Sequence, residues 1–343
     1  MSDQNELSES YKLGVDIRPR ETELVGVARD DLGFEPKENG LLGYSTWWNS
    51  ERAGAFRYAG TYAGKAAILK VQGVKPNVSE ITALEAFKAA NRSGLVRPPE
   101  LYTSIPWDEE RQFEALVVET IASGKVLNYP TSEQEVAQFF TLFKDYRKNC
   151  RSQPWIDEPS TTLTEDTRRT VASNLKTANE LYPNHPHRKS SDFALIEQGL
   201  QILEGHYAGM SREFQHLHIT SDDVFLPSGT DTRHIYTSNF VWGWKAPFFD
   251  ATAAYHHYGR LLCERAPSVD GEALEKQTHL WEREMYTLAT TDNEKIQLDL
   301  AMLGQRIGCL SISDLTINPD HPLARNLIDL TRQKLGWLIK QLS

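Results

Sequence analysis

The spacing of apolar residues changes character once along the chain. Up to about residue 120 they come in short alternating or continuous runs broken by glycine, asparagine and proline; beyond that point they recur at helical spacing for most of the remaining length. In the first part, residues 65–72 (KAAILKVQ) predict a buried strand, and residues 57–62 (RYAGTY) its hairpin partner across an Ala63-Gly64 turn. A weaker strand signal lies in residues 23–27 (ELVGV). From Glu80 to Asn91 the period becomes helical, with Ile81, Leu84 and Phe87 on one face. Ser93-Gly94 ends that helix, and Pro98-Pro99 forbids its return. Residues 113–119 (FEALVVE) predict another strand.

Helices are then expected over residues 132–148, 165–181, 192–207, 251–265, 271–290, 293–308 and 321–342. Residues 211–250 interrupt them with short apolar pieces at Val224-Phe225 and His234-Ile235-Tyr236, parted by a turn at Pro227-Ser228-Gly229. This order predicts an α+β, bilobal protein. Residues 1–121 form a small antiparallel-sheet lobe with one helix, residues 122–343 form a larger helical lobe, and ligands are expected in a cleft between lobes. At 343 residues the chain is long enough for such an arrangement.

Composition narrows the partners. With 40% apolar and 24% charged residues, the chain has the balance of a soluble globular protein. Its formal charge of −10 argues against wrapping nucleic acid or coating an anionic membrane. Three scattered cysteines, Cys150, Cys263 and Cys309, imply a reducing compartment and no disulfide framework; they read as small buried hydrophobes. Residues 1–12 lack the apolar core of a signal peptide, and no apolar run is long enough to span a bilayer, so a cytoplasmic protein is expected. Motifs for serine hydrolases, P-loop nucleotidases and His-Glu-x-x-His metalloproteases are absent from the sequence. Two His-x-His pairs, His185/His187 and His216/His218, offer four imidazoles to zinc on paper, but no cysteine or carboxylate completes a known spacing.

The interrupted stretch carries the sharper signal. Residues 216–225 read HLHITSDDVF, and residues 236–251 read YTSNFVWGWKAPFFDA. Together with Lys70 closing its strand, Glu80 opening the following helix and the strand ending at Glu119 to Ile121, this order resembles the aminoglycoside-phosphotransferase branch of the protein-kinase-like fold. The resemblance spans about residues 55–265. It implies that Lys70 contacts nucleotide phosphate, that Glu80 orients Lys70, and that the backbone around Glu119 and Ile121 receives an adenine ring. An alternative for Glu80 is a capping box with Asn77. His216 falls on the family's loop histidine, in a structural role. Asp250 falls on its helix-start aspartate, which accepts backbone hydrogen bonds from the catalytic loop.

Two positions depart from the family. His218 stands at the catalytic aspartate, and Ser238 at the metal-binding aspartate. Asp223 replaces the family's asparagine and keeps one carboxylate in the loop, with Asp222 beside it. Phosphoryl transfer needs positioning, Mg²⁺ to neutralise charge and a proton acceptor. A serine hydroxyl is a neutral ligand where Mg²⁺ wants carboxylate oxygen. The resemblance thus implies ATP as ligand, Mg²⁺ only through a site shifted onto Asp223, and a catalytically degenerate kinase-like protein that binds a small ligand or a protein partner. The rival is an active phosphotransferase on a small hydroxyl or amine compound, using Asp223 for metal and His218 as base. A third reading is transfer of a nucleotidyl group.

Overall fold

The computed structural model describes residues 23, 25–26, 29–45, 55–73, 75, 79–120, 127, 130, 132–225, 232–236, 242–265 and 269–343. The chain divides into two compact units, residues 1–125 with 225–240, and residues 126–224 with 241–343. A single cut after residue 121 therefore does not separate them, because residues 225–240 return to the N-terminal unit.

The N-terminal unit is built on a five-stranded antiparallel sheet in the order β1-β2-β3-β6-β5. Its strands are β1 (Phe34–Ser45), β2 (Ala55–Tyr62), β3 (Lys65–Gln72), β5 (Leu101–Asp108) and β6 (Phe113–Glu119). Ala63 and Gly64, both at positive φ (49° and 76°), form the two-residue turn between β2 and β3. That backbone matches the twist of a hairpin and is easiest for glycine. β3 alternates strictly. Ala67, Leu69 and Val71 are fully buried on one face with Phe34, Phe56, Phe113, Ala115 and Val117, and Val25 and Leu32 pack there too.

Residues 23, 25 and 26 are helical, which corrects the strand expected for residues 23–27. The reason is tertiary: Val25 and Leu32, both in helical backbone, pack against the sheet. Gly33, at φ 66°, ends this segment, and its amide bonds to the Arg29 carbonyl at 3.0 Å. On the opposite face of the sheet lie Lys70 and Gln72, and α1 (Glu80–Ala90) supplies their partners. A short parallel pairing of β4 (Val96–Arg97) with β9 (His234–Tyr236) ties residues 225–240 to this unit.

The C-terminal unit contains α2 (Glu133–Asn149), α3 (Leu163–Leu181), α4 (Ser191–Tyr207), α5 (Phe249–Arg265), α6 (Gly271–Tyr286), α7 (Asp292–Ser311) and α8 (Ala324–Leu342). Ser132, Thr162 and Thr291 each form a capping box with a glutamate three residues on. Each cap stabilises its helix start by about 1 kcal/mol. α7 is buried on nearly every side, through residues such as Leu298, Met302, Leu303, Ile307 and Leu310, as befits a central helix. Phe139, Phe140, Phe143, Tyr258 and Trp281 form an aromatic core between α2, α5 and α6, with Tyr258 stacked on Trp281 at 4.0 Å.

β7 (Glu213–His216) and β10 (Trp242–Lys245) make a two-stranded antiparallel ribbon. A 3₁₀ turn (Ser221–Asp223) follows β7, and β8 (Val224–Phe225) lies where the chain passes from one unit to the other. No helix among the described residues is long and apolar enough to cross a membrane.

Candidate functional site

The sheet register decides which polar groups meet in the N-terminal unit. Lys70 pairs with Leu116 and Gln72 with Glu114, so these four side chains share the face that α1 covers. Glu80, the first residue of α1, forms an ion pair with Lys70, and both side chains are largely buried. Gln72 donates to Glu80 at 3.1 Å and to Glu114 at 3.2 Å. Ser79 is the N-cap residue but makes no side-chain cap; its hydroxyl donates to Glu114 at 2.9 Å. Glu80 thus points to the lysine; Asn77, the cap that would compete for it, lies outside the described residues. Glu114 is fully buried, and that burial raises its pKa, against the hydrogen bonds from Ser79 and the Glu80 amide. The chemistry of this cluster is one cation held by a carboxylate and braced by an amide and a second, buried carboxyl group.

Glu119 is engaged otherwise. Its carboxylate takes a bidentate pair from Arg97 at 2.7 and 2.9 Å, and its amide donates to the Glu100 carbonyl at 2.9 Å. The Thr120 amide donates to Ala66 at 3.3 Å. Both amides at the end of this strand are therefore already satisfied within the sheet. Ile121 lies outside the described residues.

In the C-terminal unit the loop after β7 is anchored by His216, which is buried and flanked by Trp242 at 5.3 Å and Tyr146 at 6.3 Å. Its Nδ1 accepts the His218 amide at 3.0 Å. Burial, with the neighbouring His218, pushes its pKa down to about 3, so the ring is neutral and Nδ1 stays an acceptor. Gln215 points to the other side of the ribbon, accepting the Asp250 amide at 3.0 Å and donating to the Ala246 carbonyl at 2.8 Å.

Asp250, at the start of α5, is 1% exposed. Its carboxylate accepts the Ala251 amide at 2.8 Å and faces Arg147 at 3.4 Å and Arg151 at 3.7 Å. Among the described residues it takes no hydrogen bond from the loop backbone, which corrects that expectation. Two arginines of the α2 end stand where loop amides were expected, and Gln215 makes the link to the ribbon.

His218 and Asp223 sit in the same loop. The Nδ1 of His218 is 3.9 Å from Asp223 Oδ2, beyond hydrogen-bonding distance, and has no hydrogen-bond partner among the described residues. Burial lowers the pKa of His218, against the nearby Asp222 charge. Its ring packs on that of His257 in α5, with centroids 4.3 Å apart. Asp223 is drawn inward: its carboxylate accepts the Thr220 amide at 3.1 Å and the Thr220 hydroxyl, which also contacts Asp222. This closes a capping box around the 3₁₀ turn. Ser238 lies outside the described residues.

The four histidines of the two His-x-His pairs do not converge. His187 bonds to the Pro319 carbonyl at 3.0 Å, and the metal-ligand grouping found among the described residues involves none of them. Sequence reasoning missed Glu114, hidden in an apolar strand, and His257, one of two adjacent histidines between Tyr255 and Tyr258. It also missed Arg147 and Arg151, whose partner lies about a hundred residues away.

No protein-family model matches this sequence. No curated protein sequence matches it either. Solved structures do. Choline kinase from Cryptosporidium parvum Iowa II aligns over 93% of this chain and 97% of its own, at a TM-score of 0.55 and 11% identity. A thermostable mutant of aminoglycoside phosphotransferase APH(4)-Ia, in ternary complex with AMP-PNP and hygromycin B, aligns over 93% and 98%, at 0.54 and 12%. The fold is kinase-like. Choline kinase LicA from Streptococcus pneumoniae aligns over 93% and 99%, at 0.50 and 11%. At such identities the likeness is one of fold, and the α+β architecture expected from the sequence agrees with it.

Proposed function

We propose that the protein is a pseudokinase: it binds a nucleotide with help from Lys70, has lost efficient phosphoryl transfer, and acts by responding to that ligand. The observation that carries this reading is the chemistry at the loop. A neutral imidazole, His218, stands at the position of the proton-accepting carboxylate. The loop's own carboxylate, Asp223, is tied to Thr220. One oxygen of Asp223, Oδ2, is committed to the capping box of its turn, and serine at 238 offers Mg²⁺ no charge. Loss of general-base assistance alone costs about 10²–10⁴ in rate.

Retention of the Lys70–Glu80 pair supports nucleotide binding. A buried lysine held by a carboxylate is suited to meet a phosphate without reorganising. AMP-PNP in the aminoglycoside phosphotransferase of the same fold supports ATP as the first nucleotide to try.

One observation favours a working phosphotransferase instead. His218 is neutral and its Nδ1 is without a hydrogen-bond partner among the described residues, the state a general base requires. The two readings part on turnover. Protein incubated with ATP, Mg²⁺ and a panel of hydroxyl and amine compounds is analysed by mass spectrometry. The pseudokinase reading expects neither phosphorylated nor adenylylated product. A phosphorylated acceptor that disappears in Asp223→Ala would replace it with the phosphotransferase, and an adenylylated one with nucleotidyl transfer.

A further inference from the structure

The core of the C-terminal unit holds a polar cluster that the nucleotide reading does not use. It joins His256 of α5, Cys309 of α7 and Asp314 of the 3₁₀ turn (Ser313–Thr316) that follows α7. All three are buried, with exposures of 5%, 0% and 0%. Cys309 Sγ lies 3.0 Å from His256 Nδ1, which lies 3.8 Å from Asp314 Oδ1. The three potential ligand atoms all fall within 4.8 Å of one another.

The thiol and the imidazole satisfy each other; the carboxyl group is not satisfied. Neither oxygen of Asp314 has a hydrogen-bond partner among the described residues, although the Thr331 hydroxyl stands near enough to bias its charge. Beside it, Nε and Nη2 of Arg306 are also without acceptors. Arg306 is itself buried, its Nη1 reaching Thr331 at 3.5 Å and its guanidinium lying 4.8 Å from the Tyr255 ring. Buried charged groups are ordinarily paired, hydrogen-bonded or bound to metal, so this set calls for a further group.

We propose that His256, Cys309 and Asp314 form a structural site for a divalent transition metal of the zinc type. One nitrogen, one sulfur and one oxygen are the donors that zinc accepts. Tetrahedral bonds of about 2.0–2.3 Å place ligand atoms roughly 3.3–3.8 Å apart, so the observed 3.0 and 3.8 Å to His256 need only small adjustments, and the thiol and carboxylate, within 4.8 Å of each other, would draw together on the ion. Binding removes to solvent the Cys309 proton and any proton that burial leaves on Asp314: the dication, the thiolate, the carboxylate and the neutral imidazole then sum to zero charge. Arg306 keeps its positive charge, and an anionic fourth ligand would give its two unpartnered donors an acceptor. The ion would join α5, α7 and the turn between α7 and α8.

The test is metal content followed by cobalt substitution in the full chain. Protein expressed with zinc available and purified without chelator is assayed for metals. It is then exchanged into Co²⁺ and its absorption recorded. The expected result is one metal ion per chain, a thiolate-to-cobalt charge-transfer band and the strong visible bands of tetrahedral cobalt. Cys309→Ser, nearly the same size and thus expected to fold, should lose the charge-transfer band, and Cys263→Ser should keep it. Absence of stoichiometric metal together with no cobalt spectrum would overturn the proposal. So would a charge-transfer band that survives Cys309→Ser.

Discussion

The imidazole of His218 rests against that of His257 at a centroid separation of 4.3 Å, so the loop position that the pseudokinase proposal equates with the lost carboxylate is packed against a second, half-buried ring. Burial pushes the His257 pKa down to about 3, with the His218 charge as a lesser cause. Burial and the neighbouring His218 together disfavour a protonated His257. This is an environment adapted to a neutral group, and an anion placed there meets different chemistry.

Restoring the carboxylate alone is therefore not expected to restore activity. In His218→Asp the new group would stand near Asp222 and Asp223 with no metal ligand at position 238. We expect no ATP turnover from that variant. Turnover is expected only when Ser238→Asp is added, since on the proposed reading the lost Mg²⁺ ligand is the larger loss. An assay of ADP release checks both, and full activity in the single variant would contradict the account.

Stability should fall in mild acid through the buried histidines. His216 has its pKa held near about 3, whereas an unfolded histidine titrates near roughly 6.5. Between those values the unfolded chain binds the proton and the folded chain does not. The stabilisation is complete above the unfolded value and is lost as pH falls below it. The slope is about 1.4 kcal/mol per pH unit for each such group. His216→Asn keeps an acceptor for the His218 amide and removes the titration. Denaturant unfolding at pH 7 and pH 5 should show a smaller drop for the variant than for the parent protein.

Asp250→Asn should destabilise the C-terminal unit by about 3 kcal/mol. The amide oxygen can still accept the Ala251 amide, but Arg147 and Arg151 would face a neutral group in a site that is 1% exposed. Thermal or denaturant unfolding measures the loss. An effect below about 0.5 kcal/mol would mean the arginines are satisfied elsewhere.

Gly60→Ala should damage the N-terminal sheet. An added Cβ would come within 2.2 Å of the Glu35 carbonyl oxygen and 2.4 Å of the Phe34 ring. Backbone and a buried aromatic ring cannot both yield cheaply, so a loss of about 1–3 kcal/mol or more is expected. Gly94→Ala, with open space around its Cβ, is the matched control.

The central hairpin strand was readable because β3 alternates strictly and its turn carries a glycine at positive φ. Strands β1 and β5 were not read, and both are edges of the sheet. β1 contains Pro36, Gly40 and Gly43 and shifts register twice; β5 contains Pro106 and is only partly buried along its length. Edge strands tolerate such residues because one side makes no ladder bonds, so the pattern used to recognise strands fades there. The helices were found within a few residues, because amphipathic spacing persists over several turns. The pairing of Lys70 with Glu80 followed from the family order. Glu114 gave no signal, since one glutamate in an apolar strand looks like a solvent-facing residue until the register shows what covers it. The arginines of Asp250 and the His256–Cys309–Asp314 cluster join residues distant in sequence, and no local pattern records such contacts.

The most direct test of the account is an ATP titration by calorimetry, in EDTA and in Mg²⁺, on the parent protein and on Lys70→Met. Methionine keeps the packing of the lysine stem and removes its charge. The account predicts binding in EDTA that Mg²⁺ does not strengthen appreciably and that Lys70→Met abolishes. Binding that requires Mg²⁺ would contradict it and point to a rebuilt metal site. No binding under either condition would refute the assignment of Lys70 to a nucleotide.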